Sequence, residues 1–471
     1  MKSKKQLNIF ALAIPLFFET AVNLVLYITD TFFLSQVSDI AAGAVGALVP
    51  VLGLVVFGYQ AFAQSASSVA AQFLSAGSNA LATRSCYVLI FMSATAGLVF
   101  SVLFYLLADF VGPALGLSDI ASGHTSNYLL LLGPFLFIQF LRIGYGAILS
   151  FRGLPAWPMT ASFMTAGLNV VLNALFLSDS GFLASFNGVE KVAIATILAQ
   201  MLGLLVVVVK VHSLAAFRDK SLQRNKQPTH EIARSMLAVA MPSTVEPVST
   251  EFLFIAQIVI IATFGDAALV AHTYAFNISL LVVVISTSLA LATQIIVSHA
   301  IGSKNFNEAY SVAISYFKLV LIIGFLAGLS LWYFAEPIVS VLTTDREVIE
   351  IASTLLLISL VVQIGVAANL VCGMALRTTT DSRYSAVMGF LVMWLVGLPA
   401  MLFCGLVLQA GVVGVWVGKS VDEGVRGYLH VRRWSKKIWV EKAERLQSRH
   451  DVLPDTTKPV EQVELCKTKG I

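Results

Sequence analysis

The sequence has little charge for its length, and this scarcity decides the class of protein. Only 12% of its 471 residues are Asp, Glu, Lys or Arg, whereas 58% are hydrophobic. A water-soluble domain of this size would carry roughly twice that share of charge. Folded in water, such a chain would expose too much apolar surface. The composition therefore indicates an integral membrane protein.

Recognisable metal and catalytic motifs are also missing. The four cysteines stand singly, and none belongs to a CxxC pair or a Cys/His cluster. This excludes a disulfide framework and a zinc site. There is no HExxH or GxSxG, and the string Gly414–Ser420 is one residue too short for a phosphate-binding loop. We predict that the protein is not an enzyme, uses no cofactor, binds no nucleic acid and holds no metal ion other than Na⁺.

Long apolar windows are what the sequence has in abundance. Crossing the hydrocarbon core takes about 20 helical residues. Lys and Arg concentrate in alternate connections and Asp in the others, which predicts an even number of spans with both termini in the cytoplasm. We expect a bacterial inner-membrane protein. The twelve windows lie near 7–34, 44–74, 86–108, 126–149, 157–178, 190–211, 236–263, 272–299, 312–333, 350–375, 384–406 and 411–430.

The two halves of the sequence resemble each other. Ile14–Glu19 is similar to Met241–Glu246, and Gly146 pairs with Gly373 at the same offset of 227 residues, which is 246 minus 19. An offset of six spans predicts an all-α membrane protein with two six-helix lobes related by pseudo-two-fold symmetry. Parallel repeats of this kind are typical of carriers. The predicted divisions are an N-terminal lobe (1–211), a cytoplasmic linker (212–233), a C-terminal lobe (234–431), and a cytoplasmic amphipathic segment with a tail (432–471).

The first span carries a polar stripe. Glu19, Asn23, Tyr27 and Asp30 fall within roughly 80° of one another on a helix. Charge inside a bilayer is costly and usually faces protein or water. Asp30 is the predicted coupling-cation site, with Tyr27 adjusting its affinity. The alternative is an aspartate at a helix end among the lipid headgroups.

Other spans carry polar pairs on one face. Asn169 and Asn173 are four residues apart in the fifth span, and either support a cation at Asp30 or join helices by hydrogen bonds. Gln60 and Gln64 share a face of the second span, where they line a cavity or stabilise packing.

The seventh span repeats the spacing of the first. Glu246 and Gln257 stand 227 residues after Glu19 and Asp30, so an amide replaces the predicted coupling carboxylate. An amide cannot exchange a proton near neutral pH, which favours the first half for cation coupling. Glu251 in the same span is a second candidate for a cation.

The last span carries unusual charge. Lys419, Asp422 and Glu423 form either a charged cavity wall or a self-neutralised group containing a Lys419–Glu423 pair. Arg142 in the fourth span is expected to extend its guanidinium toward the membrane surface.

Over about residues 5–430 the sequence resembles the multidrug and toxic compound extrusion (MATE) family of antiporters. The matching motifs follow the family order along both halves. They are Pro15 with Tyr27–Phe32, Gln72–Gly77, Phe151–Gly153, Gly167–Asn173, Gly188–Thr196, Phe264–Thr273 and Gly414–Trp416.

The resemblance implies export of amphipathic, often cationic compounds in exchange for H⁺ or Na⁺. It also implies that Asp30 is the coupling acid, supported by Asn169 and Asn173, and that Glu251 is the nearest match to an acid in helix 7. The acid that some members carry in helix 10 is Gly365 here. We expect a monomer whose partners are small amphipathic molecules and membrane lipid. The alternatives are a lipid-linked precursor flippase of the same superfamily and, more remotely, an intramembrane enzyme or sensor.

Overall fold

The computed structural model describes residues 8–451 except 39, 41–43, 46–47, 116, 179–185, 219–228 and 380. Within these residues the chain is helical, with no β-strand. The helices include two short ones, Ala215–Arg218 and Ala335–Ser340, and a C-terminal helix α13 (Ile438–Asp451). The long helices are α1 (Ile9–Val37), α2 (Val49–Ser75), α3 (Asn79–Ala114), α4 (Asp119–Phe151), α5 (Ala156–Ser178), α6 (Gly188–Ser213), α7 (Thr229–Ala262), α8 (Asp266–Gly302), α9 (Phe306–Tyr333), α10 (Arg346–Leu376), α11 (Ser382–Val407) and α12 (Gly411–Ser435).

Each of the twelve predicted spans falls on one of the long helices. In the described part of the chain, nine are long and apolar enough by themselves to cross a membrane. A tenth is added if the two arms of α4, Asp119–Leu131 and Phe135–Phe151, are counted as one span despite a 53° bend between them. The all-α prediction is confirmed. The charge of α12 separates it from an ordinary lipid-facing helix, and its Asp422 and Glu423 side chains contact Arg426 of the same helix.

The predicted divisions of the chain can be placed only in part. α7 begins at Thr229, inside the interval predicted as a linker, and residues 219–228 of that interval lie outside the described residues. The predicted tail contains α13, while residues 452–471 lie outside the described residues.

Helices α10 and α11 are interrupted by π-helical turns. These occupy Asn369–Gly373 in α10, and Met393–Gly397 and Phe403–Val407 in α11. A π-turn inserts one extra residue and re-aims the side chains around it, which is why such turns often lie at functional sites. Asn369 begins the first of them and reaches toward α12.

The buried apolar residues form separate clusters in the two halves. One cluster is built mainly from α2, α3, α4 and α6, with Tyr59 stacked on Phe140 at 4.1 Å between ring centroids. A second joins α7, α8, α10 and α12 around Trp416. A third brings the start of α1 against the second half, where Leu12 and Leu16 pack with Ile295 of α8.

Polar bonds link the halves near the ends of α2 and α10. Gln72 Nε2 of α2 donates to the carbonyl oxygen of Thr378 at 2.7 Å. A ring nitrogen of His299 in α8 lies 2.7 Å from the carbonyl oxygen of Phe151. These contacts hold together the ends of helices from both halves.

The C-terminal helix α13 packs on the same end of the second half. Trp439 stacks on Trp434 with ring centroids 4.2 Å apart and donates its Nε1 hydrogen to the Trp434 carbonyl. Both rings are fully buried. The segment after α12 is therefore anchored to the helix bundle by aromatic packing.

Candidate functional site

Asp30 lies in a cluster of uncharged hydrogen-bond donors. Its Oδ1 accepts from Asn169 Nδ2 at 3.0 Å and from Asn173 Nδ2 at 3.2 Å. Thr196 Oγ1 lies 3.2 Å from Oδ1 and 3.1 Å from Oδ2. Asn169 and Asn173 are fully buried, while the carboxyl is partly exposed. Helices α1, α5 and α6 therefore meet at this one carboxylate.

Local helix geometry accounts for most of the cluster. Asn169 and Asn173 lie one turn apart on α5, so both side chains lie on the face that meets α1. Asn173 Nδ2 also donates to Asn169 Oδ1 at 3.1 Å, which fixes the orientation of both amides. The side chain of Tyr27, predicted to belong to this site, lies outside the described part of the structure.

Thr196 was not predicted as a site residue. It lies on α6, six residues after the end of a capping box in which the Asn187 side chain accepts from the Glu190 amide and the Glu190 side chain accepts from the Asn187 amide. A single threonine in an apolar helix carries no periodic signal. The sequence did contain one indication of its importance. Thr196 is the last residue of Gly188–Thr196, one of the motifs on which the family resemblance is based.

The cluster can bind a cation without displacing a resident positive group. Among the described residues, no Lys, Arg or His forms an ion pair with Asp30, whose partners are amides and a hydroxyl. The buried oxygen of Asn173, Oδ1, has no hydrogen-bond partner in the described structure. An ionised carboxylate is an acceptor only, and amide and hydroxyl oxygens can help it to hold a small cation.

A second polar group lies nearer the start of α1. Glu19, Asn23 and Gln60 line a cavity that also contains Gln139 and Arg142 of α4. Gln64, predicted beside Gln60, is not among the residues that line it. The polar stripe of α1 is thus divided between two sites, Glu19 and Asn23 at one and Asp30 at the other.

The expectation for Arg142 is wrong. Its side chain is buried, and its guanidinium donates to Asn23 Oδ1 and Ser162 Oγ, each at 3.2 Å. Polar acceptors on α1 and α5 hold the group inside the helices and replace the water that it would otherwise reach for.

Glu246, the repeat equivalent of Glu19, has cationic partners. Arg377 Nη2 lies 2.7 Å from Glu246 Oε2, and Arg426 Nη1 lies 3.4 Å from Oε1. Ser385 donates to the same carboxylate at 3.0 Å, and His430 contacts Ser385. The Glu246 carboxylate is therefore neutralised by arginines from α10 and α12.

The charges of α12 also pair differently from the expectation. Asp422 and Glu423 contact Arg426 at 2.9 and 2.5 Å, and Asn369 of α10 donates to Glu423 at 2.6 Å. No Lys419–Glu423 pair forms among the described residues, so that interpretation is wrong. The Lys419 ammonium instead lies over three aromatic rings of α7, α8 and α12, 5.4 to 6.0 Å from their centroids. Sequence reasoning missed Arg426 because it is one turn beyond the group that drew attention.

The two other candidate residues of α7, Gln257 and Glu251, do not belong to this network of charged side chains. Gln257 is buried, and its Nε2 has no hydrogen-bond partner in the described structure. Glu251 is partly exposed and forms no hydrogen bond or ion pair with the described residues. No described group of three or more His, Cys, Asp or Glu could hold a metal ion.

A further buried carboxylate, Asp381, lies in the connection between α10 and α11. Arg433 donates to it through Nε at 2.8 Å and Nη2 at 2.9 Å, and Lys442 of α13 donates to the same group. Burial acts to raise the pKa of Asp381, but the hydrogen bonds from Arg433 and Lys442 outweigh it and hold the pKa below its ordinary value. Asp381 thereby ties α12 and α13 to the loop that carries Thr378.

Comparison with known proteins assigns the fold and the repeat. The model of the MatE family matches residues 15–175 and again 242–402. The two matches are offset by 227 residues, 242 minus 15, which is the offset found within the sequence.

Relatives match over nearly the whole chain. The uncharacterised transporter YisQ of Bacillus subtilis is 28% identical over 93% of this chain and 96% of its own. The probable multidrug resistance protein NorM of Thermotoga maritima is 24% identical over 93% of both chains. Among solved structures, MATE in the bent conformation aligns with a TM-score of 0.83 at 19% identity, covering 94% of this chain and 96% of that one. A variant of the Vibrio cholerae MATE transporter VcmN aligns with a TM-score of 0.82 at 18% identity, covering 91% and 96%.

Proposed function

Because the chain belongs to the MatE family, we propose that it is an antiporter that exports amphipathic, often cationic compounds in exchange for inward-moving H⁺ or Na⁺. Members of this family are transporters, so the chain is an integral membrane transporter for small molecules and not an enzyme. The Thermotoga relative is named as a probable multidrug resistance protein, and this likeness supports export of drugs and similar compounds.

The observation that carries the coupling proposal is the environment of Asp30. This carboxylate has amide and hydroxyl partners from α5 and α6 and a neighbouring amide oxygen without a partner. Binding a cation there would change the hydrogen bonds that join α1 to α5 and α6. A ligand shifts a conformational equilibrium only by its difference in affinity for the two states. Asp30 provides that difference if its contacts with α5 and α6 exist in one state and loosen in the other.

We also propose how the helices and the termini are arranged in the membrane. Two six-helix lobes, residues 1–211 and 234–431, would enclose a central cleft, with both termini on the cytoplasmic side of a bacterial inner membrane. The protein would act as a monomer. The doubled family match and the alternation of positive charge along the chain support this arrangement.

Substrate-driven ion movement tests the function directly. Purified protein is placed in proteoliposomes, and a Na⁺ gradient and a pH gradient are imposed separately. We expect one gradient to drive uptake of a lipophilic cation such as ethidium, and ethidium added without a gradient to drive movement of the same ion. Transport that neither gradient affects would contradict antiport.

A further inference from the structure

One set of contacts between the two halves lies at the end of α2, and we call it the end closure. Gln72 Nε2 of α2 donates to the carbonyl oxygen of Thr378, in the turn after α10, at 2.7 Å. Gly302, the last residue of α8, packs against the same stretch of α2. A Cβ added at Gly302 would overlap the Ser75 hydroxyl and the Gln72 backbone. The end closure thus joins Gln72 and Ser75 of the first half to Gly302 and Thr378 of the second.

The C-terminal helix α13 packs directly behind the second-half side of the end closure. Trp439 and Ala443 of α13 are buried in one apolar cluster with Ile301 of α8 and Leu376 of α10. Ile301 immediately precedes the glycine of the end closure, and Leu376 precedes its threonine by two residues. A buried tryptophan removes a large apolar area from water, so this packing is a substantial part of what holds α13 in place. α13 therefore supports both second-half segments that touch α2.

Ion pairs fix the turn that carries the threonine. Asp381 lies three residues after that threonine, and its buried carboxylate contacts both Arg433 of α12 and Lys442 of α13. The Asp381 amide donates to Thr379 Oγ1 at 3.1 Å, and that hydroxyl donates to the Leu376 carbonyl at 2.9 Å. Removing a cationic partner from a buried carboxylate is costly. α13 thus contributes charge as well as packing to a turn that is bonded to the first half.

We propose that α13 is a conformational brace, which stabilises the state in which the end closure is formed. Release of α13 shifts the protein toward the state in which the halves separate at this end. A carrier built from two repeats exposes its centre to each side in turn, so contacts of this kind must break and re-form in every cycle. The free energy that holds them sets the fraction of molecules that are closed. This inference goes beyond the proposed export function, because it assigns a regulatory role to a helix outside the twelve long ones.

Distances between the halves test the proposal. Spin labels are attached at Asn79→Cys on α3 and Ser311→Cys on α9, both exposed positions near the end closure, in the full chain with its four native cysteines replaced by alanine. Double electron–electron resonance in lipid nanodiscs at pH 7 gives the ratio of long to short distances. Gly302→Ala should raise this ratio most, because the added methyl group does not fit the closed contact. Trp439→Ala should raise it about threefold or more.

Matched substitutions separate bracing from a general loss of packing. Trp439→Phe keeps an aromatic ring in the cluster and should keep the ratio close to that of the wild type. Trp332→Ala removes a half-exposed tryptophan near the other end of α9 and should leave the ratio unchanged. If Trp439→Ala does not fold, Asp381→Asn gives the same test, because it weakens the hold of α13 on the turn.

A double-mutant cycle tests whether the brace acts through the end closure. Gln72→Ala removes the bond to the Thr378 carbonyl, so Asp381→Asn should change the ratio less in this background than it does alone.

Three results would overturn the inference. The first is that the effects of Gln72→Ala and Asp381→Asn simply multiply. The second is an unchanged ratio in folded Trp439→Ala or Asp381→Asn, and the third is an unchanged ratio in Gly302→Ala. None of these distances depends on an imposed ion gradient, so failure of the export proposal would be seen separately.

Discussion

The two halves of the molecule compensate their carboxylates inside the helix bundle in opposite ways. In the first half, Asp30 is held by amides and a hydroxyl. In the second half, Gln257 stands at the position of Asp30 in the repeat, and the principal buried carboxylate, Glu246, is paired with Arg377 and Arg426. The same scaffold therefore carries one carboxylate whose described partners are neutral and one whose cations are built into the chain.

The difference teaches what a coupling site requires. A buried charge needs compensation, and resident arginines provide it permanently. A carboxylate compensated only by neutral donors remains open to an ion that arrives and leaves. Asp422 and Glu423 follow the pattern of the second half, since both contact Arg426.

The largest effect on transport is expected from a substitution of Asp30. Asp30→Asn removes the charge that would bind the ion, so gradient-driven export should fall to the level of empty vesicles. Everted membrane vesicles measure it, with rates normalised to inserted protein. Glu246→Gln is the matched substitution and should retain gradient-driven export per folded molecule. The reverse result would move the coupling site to the second half.

The next effect concerns stability. Glu246→Gln leaves Arg377 without its carboxylate and weakens the pairing of Arg426, so unfolding free energy should fall by about 3 to 5 kcal/mol. Denaturant unfolding in detergent measures it. Glu251→Gln, on the same helix but outside the network, should change stability by less than about 1 kcal/mol.

A double substitution separates lost pairing from lost packing. Replacing Glu246 and Arg377 together by Met removes both charges and should recover a large part of the loss. A double variant less stable than Glu246→Gln would show that this ion pair is not the main cause.

A smaller effect on transport is expected from a substitution of Thr196, which contacts Asp30 in the first half. Thr196→Val removes the hydroxyl that contacts both oxygens of Asp30. A hydrogen bond to a charged group is worth about 1.5 to 3 kcal/mol, so the ion concentration that half-saturates export should shift about tenfold or more. Initial rates at graded ion concentrations measure it. Thr165→Val, which removes a buried hydroxyl bonded to the Ala161 carbonyl, is the control, and an equal shift there would deny Thr196 a specific role.

A smaller effect again is expected at Asp381, whose carboxylate, like that of Glu246, is paired with resident cations. The folded-state pKa of Asp381 lies below its ordinary value of 3.8, so its contribution to stability is complete above about pH 4 and is lost as the pH falls through the folded value. Asp381→Asn should therefore cost about 1 to 2 kcal/mol at pH 7, and the gap to the wild type should narrow as the pH falls below 4.

Lys442 provides a still milder version of this test. Its side chain is 37% exposed, so Lys442→Gln should cost only about 0.5 kcal/mol. Thermal unfolding at several pH values measures both variants. A gap between Asp381→Asn and the wild type that is independent of pH would contradict the assigned ion pairs.

The sequence by itself determined that the chain belongs in a membrane, where its long helices lie, and part of the Asp30 cluster. Apolar length alone defines a span, and the repeat is a linear property of the chain, so both could be read without coordinates. Asn169 and Asn173 were found because they are four residues apart on one helix. The face of α1 that carries Asp30 was found for the same reason.

Only the tertiary structure decided which charges meet. Thr196 is 166 residues from Asp30, and Arg426 is 180 residues from Glu246. Helix periodicity fixes directions around one axis and says nothing about which helix stands opposite. Arg142 was misplaced for this reason, because its acceptors lie on α1 and α5. Contacts between helices set the partners of each buried charge, and those partners decide whether a carboxylate stabilises the fold or remains open to an ion.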